Sequence, residues 1–140
     1  MRYLTWAVVA LLAYSLVAPL MKVALAHVPS DVAVFVSNLI LVVAALTVAT
    51  LSEEPIRPYL DPTHPGTLFM LAAGCCLAVG ILAYYRALEL GDVSVVVPIF
   101  GLFIVFSSLV GVVALDEPMT ARKALGIAFA VVALILVAGE

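Results

Sequence analysis

Lys22 and Arg86 are the two cations that stand inside long apolar runs, each about five residues before its run ends. A charge at the centre of a membrane span costs about 2.5–3.5 kcal/mol, and less toward the ends. Two readings therefore stand side by side. In one, the long stems carry their charges to the membrane edge, and Arg86 pairs with Glu89 three residues on. In the other, both cations face a cavity and attract an anionic or zwitterionic group, with Tyr14, Ser15, Asn38 and Tyr84 supplying hydrogen bonds. Pro98 offers mechanics instead of chemistry. It lies one turn inside an apolar run, lacks an N–H and crowds the carbonyl four residues back, so it invites a kink about which that run can swivel. Covalent chemistry has little to stand on. Every Asp and Glu falls at a run's end or in a loop, and hydrolysis would want paired carboxylates, a Ser/His pair or a metal within the runs. No catalytic residue, metal or cofactor is expected; Asp61 and His64 are only two ligands on one loop.

The runs that position these residues dominate the composition. Of 140 residues, 66% are hydrophobic and 11% charged, with mean hydropathy +1.31. Soluble domains carry about 45–50% apolar and about 25% charged residues. The chain reads as an all-α integral membrane protein, one domain over 1–140 with no linker long enough to divide it. Six Lys and Arg scattered along the sequence leave no electrostatic footprint for nucleic acid. Cys75 and Cys76 are adjacent within an apolar run, where neighbours on a helix point apart and do not bridge.

Five apolar runs follow one another, at about 4–26, 32–51, 67–90, 94–115 and 121–138. Each approaches or exceeds the roughly 20 residues that cross a core of about 30 Å. The first is longer than a signal-peptide core and Lys22 interrupts it, so cleavage after Ala26 is disfavoured. Ser15, Ala18, Pro19 and Lys22 share one of its faces. Asn38 interrupts the second run, either bonding a neighbouring helix or lining a cavity. The connection 52–66 holds Glu53, Glu54, Arg57, Asp61, His64 and four prolines, which argue against regular helix. In the third run Ala72, Cys76 and Gly80 form a small-residue row that Tyr84 continues. The pair Tyr84-Tyr85 is an interfacial belt or a substrate-facing surface. Gly91 is expected to end this helix with positive φ, and Asp92 or Ser94 to cap the next. Thr120, after Pro118, is placed to cap the fifth.

Five spans put the termini on opposite sides. Arg2, Arg57, Arg122 and Lys123 share one side, against Lys22 and Arg86 on the other, which favours a cytoplasmic N-terminus and an external C-terminus.

The stretch Tyr84-Tyr85-Arg86-Ala87-Leu88 through Ser94 and Pro98, then Leu115-Asp116-Glu117-Pro118, Ala124-Leu125-Gly126 and a closing Gly139, resembles the EamA-type half of the drug/metabolite transporter superfamily. Glu117 and Gly126 match that pattern, while Asp116 stands where Gly is common. The motifs cover the second half of the chain, and Lys22 lies near the usual place of a basic residue in the first. The resemblance implies one half of an inverted-repeat carrier, with substrate bound near the midplane between halves. It implies a subunit that moves a small polar metabolite across the cytoplasmic (inner) membrane by alternating access. A lone five-span half would then pair as a homodimer, antiparallel by preference, or with a related half as a heteromer. The small multidrug resistance branch carries an acid in its first span. Here that span has Lys22 and no acid, which speaks against proton-coupled export of cationic drugs. The reading from another class is a membrane assembly subunit that transports nothing alone.

Overall fold

The computed structural model describes residues 2–52 and 55–138. Glu53, Glu54 and Gly139, all singled out above, lie outside the described residues, as does the side chain of Arg2. All regular structure among the described residues is helical: α1 (Arg2–Leu25), α2 (Ser30–Leu51), a 3-10 turn (Arg57–Leu60), α3 (Pro65–Leu90), α4 (Val93–Gly101), α5 (Phe103–Ala114) and α6 (Ala121–Ala138). Helix is what an apolar chain must adopt in lipid, where no water can satisfy exposed backbone groups. The helices α1, α2, α3 and the stretch Val93–Ala114 are long and apolar enough to cross a membrane, yet only 6–11% of each lies buried within the protein. Their Leu, Val, Ile and Phe side chains are thus left for lipid to cover.

The chain divides into two compact units. One joins the residues up to Pro19 with those from Leu90 onward; the other is Leu20–Glu89. In the second unit the tightest burial gathers at helix ends: Leu88 is 0% exposed, Tyr85 4%, Ser30 3%, Ala33 7% and Thr67 5%. In the first unit α4 and α5 both pack against α6. Gly101 permits this approach, because a Cβ there would come within 3.2 Å of the Leu134 Cδ2.

Three local expectations are corrected. The connection expected to lack helix contains the 3-10 turn, with Pro58 in its first positions, where a missing N–H costs nothing. The segment is anchored by Thr67, whose hydroxyl lies 2.9 Å from the Tyr59 carbonyl and 2.8 Å from that of Asp61. Gly91 does not take positive φ. No described glycine does, and the one described non-glycine residue that does is Asp116, at φ 53°. Between α3 and α4 the extended Asp92 (φ −74°, ψ 144°) redirects the chain unaided and makes no side-chain cap bond. Thr120 does cap α6, its hydroxyl accepting from the Lys123 N–H at 3.2 Å. The fourth run is not one continuous helix. It stays helical through Pro98 and is interrupted at Leu102, whose N–H reaches back only three residues, to Ile99.

Candidate functional site

Three helix ends meet in the unit Leu20–Glu89. α1 runs out at Leu25, and Pro29, extended at φ −61° and ψ 151°, opens α2. Lys22, in the last turn of α1, sends its ammonium to α3 and donates to the Leu88 carbonyl at 2.8 Å. That carbonyl belongs to the last turn of α3, where carbonyls have no intrahelical donor and the helix dipole favours a cation. Lys22 therefore serves as a tertiary cap. Ser30, the buried first residue of α2, donates its hydroxyl to Glu89 Oε2 at 2.8 Å. Arg86 forms an ion pair through Nη1 with that same oxygen; the Arg86 side chain is 62% exposed and that of Glu89 25%. Three donors from three helices thus converge on two consecutive residues of α3.

The other residues anticipated from sequence are distributed around this cluster or away from it. Tyr84 is half-buried, its ring tilted 49° to that of Tyr85 with centroids 6.1 Å apart. Asn38 donates to the Val34 carbonyl of its own helix at 2.8 Å, not to a neighbouring helix among the described contacts. It lines a groove of about 440 Å³ with Asp31, Val34, Phe35, Leu39, Val42 and Leu82. Tyr14 and Ser15 belong to the other unit; Ser15 donates to the Leu12 carbonyl at 2.8 Å, and Tyr14 is exposed. Pro98 is half-buried in α4. Asp61 and His64 are both engaged locally. The Asp61 carboxylate accepts from the Thr63 N–H at 2.9 Å and the Thr63 hydroxyl at 2.7 Å, which hold it below the usual carboxylate range, the N–H bond foremost. His64 Nδ1 accepts from the Gly66 N–H at 3.1 Å and so caps α3.

Sequence reasoning missed Ser30 and named Glu89 only as a neighbour for Arg86. No local signal joins Ser30 to Glu89, which are 59 positions apart. It also missed a groove of about 370 Å³ between α5 and α6, lined by Ser108, Glu117, Lys123 and apolar neighbours. There the Lys123 ammonium donates to the Pro118 carbonyl at 3.2 Å. The left-handed Asp116 lets the Glu117 N–H return to the Gly111 carbonyl at 3.2 Å, and the Glu117 carboxylate folds over Gly111.

Helices of spanning length, apolar outward and with their charges gathered at the ends, define a multi-pass integral membrane protein. The chain belongs to the EamA-like transporter family, whose model matches residues 1–139. It is 33% identical over 140 residues to a protein of Sinorhizobium sp. described as an uncharacterized transporter in the cobO 3′ region, covering 95% of this chain and 94% of that relative. No solved structure matches it. The protein is a membrane transporter for a small-molecule substrate, and its family is one of transporters and not of enzymes.

Proposed function

We propose that the chain, acting as one domain over its 140 residues, carries a small polar metabolite with an anionic or zwitterionic group across the cytoplasmic membrane. It works by alternating access, as a dimer in which the copy inserted as the charge bias favours has its N-terminus cytoplasmic and its C-terminus external. The observation that carries the substrate class is the convergence of Lys22, Ser30 and Arg86 on the end of α3 in a chain of a transporter family. Arg86 is the group nearest to a free anion receptor, since an exposed pair with Glu89 holds it by only about 0–1 kcal/mol. Lys22, held on a carbonyl, adds positive potential beside it. Tyr84 and Asn38 complete the set. Pro98 acts as the swivel of α4.

Two features support pairing. A Cβ placed at Gly74, Gly80 or Gly126 would meet no heavy atom within 4 Å, so small-residue surfaces on α3 and α6 are open to close approach by another helix. The family resemblance implies that a five-span half needs a second half. The antiparallel homodimer is preferred, and the four-to-two charge bias keeps a heteromer with a related half in view. Single cysteines at His27 and Thr63, both exposed, in a Cys75→Ala, Cys76→Ala background, report orientation in intact cells. The antiparallel homodimer predicts labelling of each site from both sides; labelling of each from one side only, opposite for the two, rules it out.

Ligand identity is tested by thermal shift of the purified protein against a metabolite library. A true substrate at 100 times its Kd stabilises by about 2.7 kcal/mol. Arg86→Gln should lose that stabilisation while its unliganded melting stays close to wild type. Full retention by Arg86→Gln would make the cation a membrane-edge anchor.

A further inference from the structure

We infer that Glu89 is a built-in counter-anion, which the anionic group of the substrate displaces from Arg86 and Ser30. The inference rests on the anionic reading given above and adds a specificity-determining residue to it. A single carboxylate oxygen, Glu89 Oε2, receives both the buried Ser30 hydroxyl and the Arg86 guanidinium. A carboxylate arriving from outside has the same shape and the same donor requirements as the one already seated. The two donors differ in access. Ser30 is 3% exposed and the Arg86 side chain 62%, so an incoming anion meets Arg86 first and reaches Ser30 only as Glu89 leaves.

The surroundings allow such an exchange. Leu88 is fully buried and its carbonyl is held by Lys22, which fixes the backbone beside Glu89. The carboxylate can then swing on its own side-chain torsions without unwinding α3. The groove lined by Asp31, Asn38 and Leu82 lies on the same two helices, α2 and α3, as Ser30 and Glu89, and offers room for the body of a ligand. While Glu89 is seated, only part of the population can bind, and apparent affinity falls by that fraction. An exposed ion pair reinforced by one hydroxyl bond to a charged oxygen corresponds to a factor of about ten or more.

The test uses the full chain in nanodiscs with acetate, the smallest carboxylate, as probe. Thermal stabilisation is followed against acetate concentration, with chloride exchanged to hold ionic strength constant and methylammonium as the cation control. Glu89→Gln should lower the half-saturating acetate concentration by about tenfold or more relative to wild type, and Arg86→Gln should raise it. Glu89→Asp, one methylene short of spanning both donors, should shift the same way by less and serves if Glu89→Gln folds poorly. An unchanged or higher half-saturation in both Glu89 variants, with Arg86→Gln still impaired, would overturn the exchange and leave the anionic reading standing. No acetate stabilisation in any variant or in wild type would overturn both.

Discussion

Lys22→Met is the substitution that separates a structural from a purely electrostatic role at the head of the cluster. Methionine keeps most of the apolar stem and removes the ammonium, so the bond to the Leu88 carbonyl at 2.8 Å is lost with little change in packing. A hydrogen bond to a charged group contributes about 1.5–3 kcal/mol, within which the helix-terminus effect is about 0.3–1 kcal/mol. Lys22 is only half-buried, and water can reach part of what the ammonium leaves. The lower end, about 1.5–2 kcal/mol, is therefore expected. For a chain of this length that corresponds to a melting temperature lower by about 5–7 °C. The assay is thermal unfolding in one detergent, with Lys22→Arg as the control that keeps a donor and should melt near wild type. If Lys22→Met melts within about 1 °C of wild type, the bond holds nothing, and the convergence at the end of α3 is not what orders these helices.

Asp116→Gly should stabilise by about 0.5–1 kcal/mol, read as a higher melting temperature, because glycine takes the φ of 53° without the strain an L side chain carries; Asp116→Ala should move the other way. Pro98→Ala restores a donor within α4 and should slow transport more than it changes melting or expression, with unchanged flux returning Pro98 to a tolerated early-helix proline. Acidification should loosen the loop at Asp61. The two bonds from Thr63 lower its pKa, so their contribution is complete above the ordinary carboxylate value, about 3.9, and is lost as pH falls through the lower folded value. Hydrogen exchange at the Thr63 amide, corrected for intrinsic rate, should accelerate over that window in wild type and show no such step in Asp61→Asn.

What the sequence discloses here is what depends on near neighbours. Helices follow from apolar runs in a medium that cannot satisfy the backbone, and the set-back of Lys22 and Arg86 from their run ends places Lys22 in the last turn of α1 and Arg86 just before the last turn of α3. The Arg86–Glu89 pair follows from three-residue spacing, as does the Thr120 cap from its place ahead of α6. The reach of Lys22 to Leu88, 66 positions away, and of Ser30 to Glu89 depends on how helix ends meet, which no local pattern encodes. Backbone conformation was harder still. Gly91 is free to adopt positive φ but is not required to, because an extended Asp92 already turns the chain. The left-handed residue is Asp116, at the place where the family resemblance marks glycine as common. Asn38 shows the same limit at a side chain: its amide is satisfied by its own helix, and its place beside a groove depends on how α2 meets Leu82 of α3.

Transport of a small anionic or zwitterionic solute by this chain is proposed to depend on Arg86. Purified protein in proteoliposomes, loaded with the ligand found by thermal shift and assayed for counterflow of the same labelled compound, tests it most directly. Wild-type protein should show saturable counterflow, which Arg86→Gln should reduce by about tenfold or more at sub-saturating ligand. Absence of counterflow from correctly folded wild-type protein, or equal counterflow from Arg86→Gln, would contradict it.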